Sequence, residues 1–168
     1  MKNNFFIAVA LCVGVALASC DDSYPELPPK TQNGDNTFGC LVNGELVVPN
    51  TSSFASYVDK PPVATYYAQK NELQIVAYTM SRQTFFFSIS NPQQGVKAPI
   101  DSVLYTLSNS QRYSGRKVGE MELSRFDAQR GIVSGEFKFD ACPLSSVPDS
   151  CIKVTLGRFD IQLTSINN

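Results

Sequence analysis

Histidine and tryptophan are both missing from the 168 residues of the sequence. Without an imidazole, catalytic triads and dyads that rely on histidine are excluded, and so is hydrolysis at a histidine-bound zinc. The missing indole weakens the case for an aromatic platform that binds carbohydrate. A large net charge is missing too: at −1, the balance points neither to nucleic acid nor to an acidic membrane surface as a partner. No metal site and no cofactor are expected.

Helical periodicity is also absent beyond the N-terminus, and short alternating runs take its place. Ten glycines, ten prolines, eleven phenylalanines and seven tyrosines suit a β-rich domain with many turns. The pattern predicts an all-β fold, either an antiparallel sandwich or a partly closed barrel of about eight or nine strands, built mainly from hairpins. A helix is expected only as a short turn around Ser52–Tyr57.

The clearest hairpin signal is Asn43-Gly44, because both residues tolerate positive φ and alternating apolar runs flank them. A second hairpin is predicted to turn at Asp127–Arg130. A bulge is expected near Gly157, where the apolar phase of the last strand slips. The side chains predicted to face inward along the strands are Phe38, Cys40, Val42, Leu73, Ile75, Ala77, Phe85, Phe87, Ile89, Val133, Gly135, Phe137, Phe139, Ile152, Val154, Leu156, Phe159, Ile161 and Leu163.

The N-terminus has the pattern of an export signal. Lys2 precedes thirteen apolar residues, Phe5–Leu17, a run too short to span a bilayer comfortably. The stretch Leu17–Cys20 then resembles the lipobox of bacterial lipoproteins. That resemblance implies that residues 1–19 are a signal peptide, and that Cys20 is acylated and becomes the new N-terminus, a lipid anchor in the membrane. An ordinary secretory signal followed by a chance cysteine is the alternative.

Two aspartates follow the cysteine directly. Cys20, Asp21 and Asp22 resemble the start of the surface-export signal of Bacteroidetes lipoproteins, which implies an outer-membrane protein exposed on the cell surface. A periplasm-facing orientation, and inner-membrane retention as in enteric bacteria, remain alternatives, as does a merely solvated linker. Residues 20–35 carry three prolines and no apolar periodicity, so they are predicted to form a tether that reaches roughly 45 Å, with the β-domain at 36–168.

Three further cysteines belong to the predicted domain. Cys142 closes one strand and Cys151 opens the next, so the two are expected to form a disulfide in an oxidising compartment. Two reduced thiols are the alternative. Cys40 lies on the apolar face of the first strand and is expected to be buried and unpaired.

Without histidine, the catalytic arrangement that remains to be considered is a pair of carboxylates, as in glycoside hydrolysis. Glu120/Glu122 and Glu136/Asp140 are the candidate pairs, but each falls on the solvent face of a strand, where charge serves solubility and edge protection. No catalytic residue is therefore assigned, and the protein is predicted not to be an enzyme.

Tyrosines and a basic cluster are the candidate binding residues. Neighbouring tyrosines in a strand point to opposite faces, so at least one of Tyr66 and Tyr67 is expected to face solvent and to offer a stacking surface. The basic cluster surrounds a further tyrosine and could meet an anionic glycan or a loop of a partner protein, although such runs are more often solvated hairpin tips. Its residues are Arg112, Tyr113, Arg116 and Lys117.

Scattered patches between Leu27 and Asp160 resemble an uncharacterised family of Bacteroidetes lipoproteins. They are Thr37–Cys40 with Val42–Gly44, the hairpin segment Ile132–Phe137 and the closing Gly157–Phe159. The resemblance implies an all-β lipoprotein domain with no known activity. A shorter likeness concerns Ser102 in Asp-Ser-Val, which resembles the O-glycosylation acceptor of exported Bacteroidetes proteins.

The sequence thus favours an outer-membrane lipoprotein that binds a partner protein or a glycan without turnover. A structural or assembly subunit of a cell-envelope complex is the alternative.

Overall fold

Nine β-strands make up the part of the protein that the computed structural model describes, residues 27–49, 61–79, 83–143 and 150–166. The prediction of an all-β fold with eight or nine strands is therefore confirmed. The strands are β1 (Thr37–Val42), β2 (Glu45–Val47), β3 (Val63–Tyr67), β4 (Glu72–Tyr78), β5 (Thr84–Ser90), β6 (Lys97–Thr106), β7 (Arg112–Asp127), β8 (Ile132–Pro143) and β9 (Ile152–Ile166).

Seven of these strands, β3 to β9, close into a barrel. Neighbours from β3 to β9 pair antiparallel in chain order, and the ring closes where the end of β9 pairs in parallel with β3. The hairpin of β1 and β2 extends the wall, because β1 pairs with the first half of β9. Of the two predicted architectures, the structure has the barrel, and its ring is closed.

The predicted hairpins are present. Asn43 and Gly44 both have positive φ, at 51° and 86°, and connect β1 to β2 as a two-residue turn. The turn after Asp127 connects β7 to β8. The sequence pattern around Tyr113 indicates a short strand separate from the later run up to Asp127, but in the structure the two are one strand. A bulge interrupts β7, with Lys117 at φ 51°. The extra residues of the bulge break the alternation of apolar and polar side chains along the strand.

Phenylalanines fill the barrel interior. Phe38 stacks on Phe137 with ring centroids 5.4 Å apart, and Phe87 lies 4.8 Å from Phe137. The predicted inward faces of β4, β5 and β8 are buried as expected. Two of the predicted core residues are not fully buried: Val42 is partly buried against the core, and Leu156 is 46% exposed. The predicted bulge explains the exposure of Leu156, which has φ 51° and turns outward, and Gly157 then returns to the interior.

The first described residues do not form a free tether. Residues 27–36, which we call the strap, lie along the outside of β9 and are held there by one buried carboxylate, that of Asp160. Thr31 Oγ1 donates to Asp160 Oδ2 at 2.6 Å, the Gly34 N–H donates to Oδ1 at 2.8 Å, and the buried Ser134 hydroxyl donates to Oδ1 at 2.7 Å. Residues 27–35, which the sequence analysis places in the tether, are thus packed against the folded domain.

Both predictions for the cysteines of the domain are confirmed. Cys142 and Cys151 form a disulfide across the β8–β9 connection. Cys40 is free and fully buried, and burial raises the pKa of its thiol to about 12.

The predicted signal peptide, Cys20, Asp21 and Asp22 lie outside the described residues, and so does the expected turn at Ser52–Tyr57. Within the described ranges, no helix combines the length and the apolar character that a membrane span requires.

Candidate functional site

One end of the barrel, which we call the mouth, is formed by the β3–β4 turn, the β5–β6 loop, the β7–β8 turn and the strap. The β3–β4 turn and the β5–β6 loop are joined where the Asn91 N–H donates to the Asn71 carbonyl at 2.7 Å. The β5–β6 loop is joined to β7 by the Gly95 N–H, which donates to the Leu123 carbonyl. Arg125 Nη1 donates to the Gln32 carbonyl and so ties β7 to the strap. Loops on a rigid barrel are where binding residues commonly lie.

A polar cleft of about 560 Å³ opens at the mouth. Amide, guanidinium and carboxylate groups surround it, and one aromatic ring adjoins them. This combination offers donors and acceptors on planar side chains, which can bind neighbouring hydroxyl groups of a ligand. The lining residues are Gln32, Gln94, Arg125, Phe126, Asp127, Ala128, Gln129 and Arg130.

The carboxylate in this cleft is kept ionised. The Arg130 N–H donates to Asp127 Oδ1 at 2.9 Å, and Arg125 Nη2 lies 3.2 Å from Asp127 Oδ2. The Arg130 N–H and, to a lesser degree, the Arg125 guanidinium lower the pKa of Asp127 below its usual value. At neutral pH this group is therefore a hydrogen-bond acceptor with a fixed orientation.

Tyr66 supports the mouth from the inside. Its ring packs edge-on against Phe126, with centroids 5.1 Å apart and an interplanar angle of 84°. The Tyr66 hydroxyl donates to Asn71 Oδ1 at 2.8 Å, and Asn71 Nδ2 donates to Asn91 Oδ1 at 2.8 Å. The predicted tyrosine thus lies beside the cleft and holds Phe126 in place. Tyr67 is half-buried, and Lys70 Nζ lies 5.5 Å from its ring centroid.

The predicted basic cluster lies at the other end of the barrel, so the structure does not bring the two groups of candidates together. Arg112, Arg116 and Lys117 are exposed at the start of β7. The prediction of Tyr113 as a binding residue is wrong. Its side chain is only 7% exposed and packs toward Tyr105 in the core, which leaves almost none of its ring for a ligand. The alternation of β7 turns Tyr113 inward between exposed neighbours.

The candidate carboxylate pairs lie on the outer wall as expected. Glu120 forms ion pairs with Lys138 at 3.0 Å and with Lys97 at 3.7 Å. The hydrogen bond from Lys138 is the main cause of a pKa for Glu120 below its usual value. A general acid in glycoside hydrolysis needs a raised pKa, so this pairing does not favour that chemistry. Glu136 pairs with Lys30 of the strap at 2.8 Å, and Asp140 is exposed.

Ser102 lies in the middle of β6, between β5 and β7. Its Oγ is 2.7 Å from Ser88 Oγ, so the hydroxyl is engaged within the sheet. Its O-glycosylation stays a prediction. Among the residues that the structure describes, no group of three or more cysteine or acidic side chains is arranged to hold a metal ion.

Several mouth residues were not candidates from the sequence. Gln32, Gln94 and Gln129 are common surface residues in three separate segments, and only the fold brings them to one cleft. The turn at Asp127–Arg130 was the available signal, because a hairpin turn presents its side chains at a barrel end.

The chain matches no family model, no curated protein and no solved structure.

Proposed function

We propose that this chain is an outer-membrane lipoprotein, anchored through acylated Cys20, whose barrel binds a glycan at the mouth without turnover. The observation that carries the binding proposal is the cleft of about 560 Å³ lined by three glutamines, two arginines and an aspartate beside Phe126. The lipobox resemblance supports the anchor, and Asp21 and Asp22 support export to the cell surface. Membership of the Bacteroidetes lipoprotein family belongs to the same proposal.

A glycan suits the cleft because sugars present pairs of hydroxyl groups at fixed spacing. Planar amide and guanidinium groups donate two hydrogen bonds side by side, and an ionised carboxylate accepts two. Gln129 and Arg130 are exposed in the β7–β8 turn, so a ligand can reach them. Phe126, held edge-on by Tyr66, supplies an apolar surface for the carbon face of a sugar ring.

The binding experiment uses residues 20–168 with Cys20→Ala, the mature chain without its acylation site or the apolar signal segment. We expect binding to members of a bacterial and host glycan array, followed by calorimetry on each positive glycan. Gln129→Ala and Arg130→Ala should each weaken binding about 10-fold, since each removes hydrogen bonds worth about 1–2 kcal/mol.

The matched controls are Gln111→Ala and Arg112→Ala, an exposed glutamine and arginine at the opposite end of the barrel. They should leave the affinity unchanged. If no glycan binds, or if the controls weaken binding as much as the mouth variants, the proposal is wrong. A stable envelope complex that co-purifies with the wild-type protein would then favour the alternative role as a structural or assembly subunit.

The anchor and its location are tested separately. Wild-type protein should be membrane-bound and labelled by a radiolabelled fatty acid, and Cys20→Ala should be soluble and unlabelled. Protease shaving of intact cells should remove the domain if it lies on the cell surface. Protection until lysis would instead indicate the periplasm-facing orientation.

A further inference from the structure

The near-neutral net charge conceals a local excess of positive charge at the end of the barrel opposite the mouth. Four exposed cations lie there on β7 and β9, and we call them the basic surface: Arg112, Arg116, Lys117 and Lys153. Among the described residues, none of the four forms an ion pair. Charged side chains left without a protein partner attract an opposite charge from outside the molecule.

A distortion of the barrel wall presents these cations. Between the pairs Ser114–Cys142 and Glu120–Lys138, β7 has two more residues than β8, so β7 bulges outward. Lys117 has φ 51° within the bulge, and bulges of this kind commonly redirect side chains near functional sites. Lysine rarely adopts a positive φ, and this conformation destabilises the folded state. A charge that only needs to be solvated does not require such a conformation.

The bulge opens a cleft of about 570 Å³ beside the basic surface. Two lysines border it, and Lys138 is engaged by Glu120 at 3.0 Å while Lys153 is free of ion pairs in the described structure. Asp140 is the single carboxylate among the described lining residues. Asp140 is also the cross-strand neighbour of Lys153, so the excess of positive charge comes from Arg112, Arg116 and Lys117 beside the cleft.

The path of the strap relates the basic surface to the predicted lipid anchor. Asn36 Oδ1 accepts from the Gln162 N–H, and Arg158 Nη1 donates to the Pro28 carbonyl. Followed toward its N-terminus, the strap runs along β9 toward the beginning of that strand. Lys153 lies five residues before Arg158, or about 16 Å along the strand.

Seven peptide units separate Leu27 from Cys20, and a fully extended chain of that length spans at most about 25 Å. A tether of this length keeps an acylated Cys20, and the bilayer surface with it, close to the strap's N-terminal end. That end points along β9 to the basic surface and away from the mouth, since β9 ends beside Tyr67.

From these observations we infer that the basic surface is a second membrane contact, which docks on phosphate-bearing lipid headgroups of the bilayer that holds the anchor. The inference rests on the proposed lipid anchor but not on glycan binding. The cations supply the attraction, and the short link from Cys20 supplies the proximity. A lipid anchor combined with a basic patch is a recognised route to stable membrane attachment.

The test measures co-sedimentation of residues 20–168 carrying Cys20→Ala, the mature chain without its acylation site or the apolar signal segment, with phosphatidylcholine vesicles, with and without phosphatidylglycerol. Because this chain has no anchor, the result does not depend on whether acylation occurs. We expect binding only to the vesicles with phosphatidylglycerol, and a loss of that binding in high salt. Adding Lys117→Asn and Lys153→Gln should weaken it about 30-fold, since each cation near an anionic surface contributes about a factor of five. Asparagine tolerates the positive φ at position 117.

The matched control adds Lys70→Gln and Lys97→Gln, which remove the same charge near the mouth and should leave vesicle binding unchanged. Thermal unfolding checks that both pairs of variants fold like the parent chain. Absence of binding to phosphatidylglycerol vesicles would overturn the inference, and so would equal losses in the two pairs. Binding to a soluble sulfated glycan without any binding to vesicles would overturn it in favour of a free anionic ligand.

Discussion

Replacing the buried carboxylate of Asp160 by an amide should loosen the strap and destabilise the barrel. In the Asp160→Asn variant one oxygen remains, and it can still accept from the Gly34 N–H and from Ser134. The other position becomes an NH₂ group, which faces the Asn33 N–H now 2.9 Å from Oδ2. That backbone donor loses its acceptor, and the hydrogen bond from Thr31 is lost or reversed.

Hydrogen bonds to a charged group contribute about 1.5–3 kcal/mol each, and a buried donor left without a partner costs about 1–3 kcal/mol. One such donor and one weakened bond give an expected loss of about 2–4 kcal/mol in the free energy of unfolding, measured by urea denaturation at pH 7. The exposed Asp140 is the control, since Asp140→Asn should change stability by less than about 0.5 kcal/mol.

The same site predicts the direction of acid sensitivity. Burial alone would raise the pKa of Asp160, but hydrogen bonds from Thr31, Ser134 and the Asn33 and Gly34 N–H groups outweigh it, and the pKa is lowered. Because the folded-state pKa lies below the unfolded value of about 3.9, the stabilisation is complete above that pH and is lost as the pH falls through the folded-state pKa. The difference in stability between wild type and Asp160→Asn should therefore shrink in acid. A difference that stays constant from pH 7 to pH 3, or one no larger than the control's, would refute the reasoning.

Three further predictions concern the core and the cysteines. Gly157→Ala should cost about 1–3 kcal/mol, because its Cβ would lie 2.4 Å from the Phe137 ring, and urea denaturation would show no change if the ring can simply move aside. Cys142→Ser together with Cys151→Ser should cost about 2–3 kcal/mol at most, the loop-closure value for so short a loop, and an unchanged midpoint would show that the bridge does not constrain the unfolded chain. The Cys40 thiol, whose pKa burial raises to about 12, should react with an alkylating reagent only as fast as the protein unfolds, and rapid labelling of native protein would contradict its burial.

Local patterns in the sequence were sufficient to predict most of the strands. Asn43-Gly44 specifies its own two-residue turn, and the alternation of Leu73, Ile75 and Ala77 follows from one face being buried. The break in the alternation of apolar residues near Gly157 also predicted a bulge, and the structure has one there. These features depend on neighbours within a few residues.

The closure of the barrel and the strap could not be predicted in this way. Parallel pairing of β3 with β9 joins residues about a hundred positions apart, as in Ala64 with Leu163. Apart from Leu27, the strap consists of two prolines, one glycine and polar residues, and a flexible tether has the same composition. Its anchor, Asp160, receives donors that precede it by 125 to 129 residues.

The candidate site was likewise predicted only in part, because some of its residues are brought together by bulges and long-range strand pairing. Tyr66 was a candidate from the sequence, but Phe126 was not, because a bulge between Leu123 and Arg125 shifts the alternation of β7 just before it. The basic residues Arg116 and Lys117 were also candidates, whereas Lys153 joined them only through the pairing of β8 with β9.

The two proposed surfaces lie at opposite ends of β9, and this arrangement bears on how an anchored domain would work. Lys153 lies at the start of the strand, and Ile166 at its end pairs with Tyr67 beside the mouth. If the basic surface rests on lipid headgroups, the mouth points away from the bilayer, toward the medium outside. The strap then does more than connect the anchor to the barrel: by holding residues 27–36 against β9 through Asp160, it selects which end of the barrel meets the membrane. Orientation and glycan capture would therefore be linked through one buried carboxylate, although neither proposed surface contains it.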